Sequence, residues 1–475
     1  MTQTGAGTEN NYDLVIIGAG SGGLTAAGFA AQLGATVALV EKRRIGGDCT
    51  WTGCIPSKAL LKAAKVAHEV RSAARYGIDA SQPVTDMGRV REYVRGAIQQ
   101  VYQFENPEHL QREGIDVIMG GARFLDSNSI RVGERKIHAK TFLVTTGARP
   151  AIPPIAGLDG VPFLTYENIF DIDRLPEAML VVGGGPIGME MAQAYQRLGS
   201  QVTVFAEQLL PKEEPEVREV MQRVLEREGI RFVSGRAASA RKDGDSIVVG
   251  TGKEEARGSL LLIASGRKPS VAEMDLGKAG VTHNDRGIPV DDHLRTNVKN
   301  IYAAGDVVGG YQFTHFAGWQ AFQAVRNALL PGNSSGFTDL VPWVTFTDPE
   351  VAHVGLTEAQ AREKFANATK ICRWEMSRTD RAICENDTDG FIKLMAKKDG
   401  TILGATIVAA RAGEAITEFI IAMKQNIKVV DLAGAIHAYP TYSTAIQQLA
   451  ADMAIENMLS GTSGRIIRGL AKIIR

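Results

Sequence analysis

Gly46-Gly47-Asp48-Cys49-Thr50-Trp51-Thr52-Gly53-Cys54-Ile55-Pro56-Ser57-Lys58 is the stretch on which the reading of this chain turns. Two cysteines flank four residues in a glycine-rich approach to a predicted helix over Lys58–His68. On a regular helix five steps of about 1.5 Å would put the pair roughly 7.5 Å apart along the axis. A disulfide needs Cα atoms about 4.4–6.8 Å apart. Bridging Cys49 to Cys54 therefore requires an irregular first turn, which Gly53 and Pro56 permit. No second Cys/His pair follows at finger-like distance, so no metal site is assigned. Spacing alone leaves open a buried small-residue pair, half of a lost metal site, and a redox pair.

The 475 residues exceed one ordinary core and point to about two to four domains. Hydrophobic residues at 44% and charged residues at 22% describe a globular chain, not a disordered one. With 53 basic and 53 acidic residues the net charge is zero, which gives no electrostatic reason to expect a nucleic-acid partner. Four cysteines do not make a secreted disulfide scaffold. Met1–Asn11 lacks a basic start and an apolar run, and is read as a disordered leader. No apolar stretch reaches the roughly 18 residues of a spanning helix. The expected location is the cytoplasm, where a disulfide is more often catalytic than structural.

Asp13–Ile17 reads as a buried strand, Gly18-Ala19-Gly20-Ser21-Gly22-Gly23 as a turn, and Leu24–Leu33 as a helix. The next strand, Thr36–Val40, ends in Glu41. Between strand and helix, Gly18, Gly20 and Gly23 form a dinucleotide fingerprint, with Glu41 placed to hold a ribose diol. Ala59–Gln111 reads as helical, with Leu60, Leu61, Val66, Val70, Val94 and Ile98 as core candidates. After a proline-rich linker the opening pattern repeats: strand Met179–Val182, then Gly183, Gly185 and Gly188, helix Met189–Leu198, and strand Val202–Phe205. Two fingerprints imply two dinucleotides, a flavin and a nicotinamide. Ala206 and Glu207 close the second strand, and no arginine follows before Arg218. A 2′-phosphate beside Glu207 would meet like charge, so of NADH and NADPH the expectation leans to NADH.

The cysteine stretch resembles the redox-active disulfide of the pyridine nucleotide–disulfide oxidoreductases, among them dihydrolipoyl dehydrogenase, glutathione reductase and mercuric reductase. The resemblance spans about residues 12–455 and implies an α/β fold. Two Rossmann-like dinucleotide-binding lobes, for FAD and NAD(P), are followed by a C-terminal α+β dimerisation domain. The boundaries it implies are 12–150 and 271–338 for the two parts of the FAD lobe, 151–270 for the NAD(P) lobe, and 339–475 for dimerisation. It places Ala122 by the adenine end of FAD, Gly147 in the Thr145–Pro150 segment closing that lobe, and Gly266 in the matching Ala264–Pro269 segment. Asp306, in Ala303-Ala304-Gly305-Asp306, would hold the ribityl and pyrophosphate region, and His315 would lie near the isoalloxazine. Lys58 and Glu190 would pair beside the flavin. Pro186 stands where relatives gate nicotinamide access, and also suits a first helical turn.

The family's C-terminal His-Pro-Thr-x-x-Glu is not kept: Tyr439 stands at the histidine position and Thr444 at the glutamate, with His437 two residues upstream. A tyrosine, with pKa near 10, is a poor neutral-pH proton donor for thiol–disulfide exchange. Mercuric reductases share the tyrosine, but their terminal cysteine pair and added metal-binding domain are missing here. Cys372 and Cys384 are read as free structural thiols. The expected enzyme passes electrons from NAD(P)H through FAD and Cys49–Cys54 to a soft electrophile, a small molecule or soft metal. Tyr439 of the other subunit of a homodimer would face the substrate. The alternatives are a dihydrolipoyl dehydrogenase or glutathione-type reductase, and a non-enzymatic redox-sensing flavoprotein. The tail Arg465–Arg475 carries an apolar helical stripe with basic flanks. Packing on its own dimer is expected, with weak membrane-surface contact as the alternative.

Overall fold

The apolar run after Tyr12 alternates between two cores because a parallel strand is covered on both faces. Leu14 and Ile16 of strand Asn10–Ile17 enter one cluster with Ala26, Ala30 and Leu39, while Val15 and Ile17 enter another with Phe124, Phe142 and Val144. Each such fully buried aliphatic side chain contributes about 1.5–3 kcal/mol. The structure, a computed structural model, describes residues 10–474, with the side chains of 10, 367, 461–463 and 474 left out. The expected leader before residue 10 lies outside the described residues, but Asn10 and Asn11 already pair with Ile137 and His138. The strand therefore claims the last two positions assigned to that leader.

Packing divides the chain into two compact units, one running to Glu207 and resuming over Arg231–Thr338, the other formed by Gln208–Ile230 and the chain from Asp339. In the first unit a seven-stranded sheet runs Ile115–Met119, Val37–Glu41, Asn10–Ile17, Arg135–Val144, Ser129–Val132, Ala122–Asp126, and Ile301–Ala303 adds to Arg135–Val144. A second, four-stranded sheet runs Arg231–Ser234, Gln201–Ala206, Ala178–Val182, Leu260–Ile263, all parallel. Strands Ala148–Pro150 and Arg267–Pro269, the two lobe-closing segments, pair with each other antiparallel.

The helical stretch after the cysteines is longer than expected, Cys54–Arg71, because it begins at the second cysteine itself. Ala59, the expected Leu60, Ala64 and Ala67 lie on its buried face, and Val66 is exposed. In the second unit a five-stranded sheet runs Trp343–Thr345, Glu350–Gly355, Ile402–Ala409, Phe391–Lys397, Thr369–Glu375. Helix Pro215–Arg227 belongs to this unit although the sequence places it in the NAD(P) segment. A buried charge cluster explains the capture. Lys393, 3% exposed, reaches Glu214 at 3.1 Å, Glu358 at 2.6 Å, and Glu216. Trp343 Nε1 also donates to Glu213 at 2.7 Å. Among the described residues no helix is long and apolar enough to cross a membrane.

Candidate active site

Gly46 adopts φ +100°, and a Cβ there would meet Glu105 Oε2 at 2.6 Å and Thr50, so only glycine makes this bend. The bend starts a short helix, Gly47–Trp51, that carries Cys49. Thr52 and Gly53 break it, and Cys54 opens the next helix. The irregular turn anticipated between the cysteines is thus a helix–break–helix. It leaves Cys49 and Cys54 as partly buried free thiols that share a hydrogen bond.

The pair is electrically unequal. The hydrogen bond from Cys49 brings the Cys54 thiol down to about 6 against the cost of burial, with Thr314 and the Lys58 charge helping and Glu190 opposing. Donating that bond, with burial added, pushes Cys49 upward. Thr314 Oγ1 lies 3.1 Å from Cys54 Sγ, at the first position of helix Thr314–Leu329. No sequence pattern singled it out, although it adjoins His315. Lys58 Nζ meets Glu190 Oε2 at 2.9 Å, the carboxylate almost wholly buried. Lys58 sits one turn along the helix that Cys54 opens, and Glu190 comes from helix Pro186–Leu198. A buried carboxylate without this ammonium would carry a large desolvation cost.

A second network holds the short cysteine-bearing helix through Asp48. Arg267 binds Asp48 at 2.8 Å through Nη2 and Asp306 at 2.7 Å through Nη1. The Tyr166 hydroxyl donates to the same Asp48 at 3.2 Å, beneath the guanidinium. Burial raises the Asp306 carboxyl above its usual range, with Arg267 opposing. Sequence reasoning named Asp306 but missed Arg267, which was visible only as part of a closing segment. His315 stacks on Phe313, ring centroids 5.4 Å apart.

The glycines test whether a dinucleotide fits. A Cβ at Gly18 would meet the Thr145 carbonyl at 2.5 Å, and one at Gly23 would overlap the Gly18 carbonyl. In the second lobe Gly183 stands likewise against Ala264, and Gly188 against the Gly183 carbonyl. Each lobe therefore brings its helix N-terminus to bare backbone, the cradle a pyrophosphate needs. Space is open around Gly147, Gly185 and Gly266, and the buried Arg267 Nε has no hydrogen-bond partner among the described residues. Glu41 accepts from Ala19 N–H at 2.8 Å and Arg43 N–H at 2.7 Å, which fixes its carboxylate at the end of its strand. Ala122 is buried at the start of strand Ala122–Asp126. Pro186 is the first residue of helix Pro186–Leu198. The residues fit two dinucleotides.

The family model described as pyridine nucleotide-disulphide oxidoreductase matches residues 12–321, and that of the family's dimerisation domain matches 341–450. The chain belongs to the pyridine nucleotide-disulphide oxidoreductases. Its relatives include a mercuric reductase of Bacillus cereus, 34% identical over 92% of this chain and 70% of the relative. A dihydrolipoyl dehydrogenase of Haloferax volcanii is 37% identical over 92% and 95%. Among solved structures, the HOCl-induced flavoprotein disulfide reductase RclA from Escherichia coli superposes with TM-score 0.84 at 29% identity, covering 93% of this chain and 99% of that one. LpdA from Mycobacterium tuberculosis superposes with TM-score 0.86 at 29% identity, covering 94% and 99%. As a pyridine nucleotide-disulphide oxidoreductase the protein is an FAD- and NAD(P)H-dependent enzyme with two nucleotide lobes and a dimerisation domain.

In the second unit the family's terminal motif is rearranged. Tyr439 is 71% exposed, and its hydroxyl donates to Asp380 at 3.0 Å. That carboxylate raises the phenol further above its ordinary value. His437 Nε2 lies 2.9 Å from Glu418 Oε1, and its Nδ1 3.0 Å from the Ala435 carbonyl. Glu418 was not foreseen. Cys372 is half-buried and Cys384 exposed, both free.

Proposed function

We propose that the enzyme passes electrons through Cys49 and Cys54 to a soft electrophile, in the manner of a mercuric reductase. FAD, held by Gly18, Gly20, Gly23, Glu41, Ala122, Gly147, Asp306 and His315, supplies the two-electron link between nicotinamide and sulfur. The second lobe holds NAD(P)H through Gly183, Gly185, Gly188, Glu207 and Gly266. Cys54 stays as the thiolate at the flavin site, and Cys49 attacks the acceptor. Lys58 with Glu190 fixes a charge pair beside that thiolate. The enzyme works as a homodimer in which the partner's Tyr439 faces the substrate.

The observation that carries this reading is Tyr439, made a still poorer acid by Asp380. Reducing a disulfide with NAD(P)H consumes a proton and yields two thiols, so the leaving thiolate needs an acid. Reducing a divalent mercury ion to the metal takes the same electron pair and releases a proton. Only the second reaction tolerates a site without a donor. The test is anaerobic titration with NADH and NADPH, followed by challenge with Hg(II), glutathione disulfide, lipoamide and a quinone. Reoxidation by Hg(II) at catalytic rates, with slow glutathione disulfide turnover, is expected, whereas fast disulfide turnover would reverse the ranking.

The His437–Glu418 pair favours a second reading, a lipoamide-type disulfide reductase with His437 as the acid. In that case His437→Gln removes lipoamide turnover and spares reduction of the cysteines by NAD(P)H.

A further inference from the structure

Strand Arg231–Ser234 runs parallel to Gln201–Ala206, with Ser234 opposite Ala206. Gly235, at φ +125°, donates its N–H to the Ala206 carbonyl at 3.0 Å and turns the chain there. The two strands therefore release their next residues at one edge of the sheet, and Arg236 Nε reaches Glu207 Oε2 at 2.9 Å. In a lobe of this kind that edge receives the adenosine ribose, where an acid holds the 2′-hydroxyl and an arginine a 2′-phosphate. A search along the chain after Glu207 meets no arginine before Arg218. The register of the neighbouring strand brings one from further on.

We propose that Arg236 is a specificity-determining residue that takes the 2′-phosphate of NADPH, with Glu207 holding the ribose diol of NADH, so that this lobe accepts both coenzymes. The proposal rests on reading the second lobe as the NAD(P) site. Both side chains are exposed, Arg236 at 83% and Glu207 at 58%, and such an exposed ion pair contributes little. Exchanging the carboxylate for a phosphate dianion is therefore cheap for the arginine. A guanidinium fork binds phosphate oxygens through two parallel N–H donors, stronger than its contact with one carboxylate oxygen through Nε. Ala206 presents no longer side chain to crowd the phosphate. Glu207 opposes NADPH both as a competitor for the guanidinium and as a like charge beside the 2′-phosphate, so binding of NADPH depends on Arg236.

The experiment is calorimetric titration of the FAD-loaded full-length enzyme with 2′,5′-ADP and with 5′-ADP, isomers that carry their second phosphate on the ribose 2′-oxygen and in a 5′-pyrophosphate, respectively. Arg236→Ala should weaken 2′,5′-ADP about tenfold or more and leave 5′-ADP within about twofold. Glu207→Gln should strengthen 2′,5′-ADP, and Arg236→Ala added to it should remove that gain. Equal affinity of wild type and Arg236→Ala for 2′,5′-ADP would overturn the proposal, as would a wild type that binds 5′-ADP but not 2′,5′-ADP. If instead neither probe binds, or if Gly188→Val leaves both affinities intact, the reading of the lobe itself fails.

Discussion

At the scale of single residues the cysteines are chemically distinct before any substrate arrives. Cys54 is drawn down to about 6 chiefly by the thiol of Cys49, with Thr314 and Lys58 as lesser aids. A lowered thiol pKa means the thiolate is present above that value and lost as pH falls through it. In the two-electron-reduced enzyme, thiolate absorbance and the long-wavelength thiolate-to-flavin band should fade together with a midpoint near 6 on acidification. Cys49→Ala removes the largest stabiliser, so the midpoint should climb toward the ordinary thiol value of about 8.5. A midpoint that Cys49→Ala leaves in place would show that Lys58 or Thr314, not the neighbouring thiol, holds the charge. Much of this centre was legible because it is contiguous: the bend, the break and both sulfurs fall within thirteen residues. Lys58–Glu190 was legible only through resemblance, since nothing local links two helices so far apart in the chain. Thr314, Arg267, Arg236 and Glu418 were not legible as partners. Each reaches its contact through strand register or helix packing, which short-range patterns do not encode.

Among the elements, helix Pro215–Arg227 shows how buried charge overrides a sequence boundary. Its two strands of origin stay in the four-stranded sheet, while Glu214 and Glu216 hold the helix segment to Lys393 in the second unit. Burial works against the Lys393 charge, but hydrogen bonds to Glu216 and Glu358 and the field of Glu214 hold it above its ordinary range. Lys393→Met would leave the buried Glu214 and the partly buried Glu216 without their ammonium and should destabilise this unit by about 3–5 kcal/mol. Denaturant unfolding followed by Trp343 and Trp374 fluorescence would read the loss. Adding Glu214→Gln and Glu358→Gln should recover part of it. The tail forms helix Gly461–Ile474, with Ile466, Leu470 and Ile473 exposed and Arg468 donating to the Leu459 carbonyl at 2.9 Å. Arg475 lies outside the described residues. If this face packs on its own dimer, deleting residues 465–475 should make thermal unfolding more dependent on protein concentration. If it meets lipid, deletion should instead abolish co-sedimentation with anionic vesicles.

For the whole molecule, the proposed chemistry divides its parts between two chains. Cys49 and Cys54 lie in the first unit and Tyr439 in the second, where it is exposed and tethered to Asp380. If Tyr439 serves the site of its partner, two defective subunits can complement each other. A heterodimer of a Cys54→Ser chain and a Tyr439→Ala chain contains one site with both lesions and one with none. Purified through two different tags, it should show about half the wild-type turnover of the true acceptor, while either variant homodimer stays low. Were Tyr439 to serve its own chain, each site of the heterodimer would carry one lesion and no activity would return. Its NAD(P)H-dependent reduction of the cysteines, which asks nothing of Tyr439, should in either case proceed at the one intact pair. That difference separates a failure of substrate reduction from a failure to load electrons.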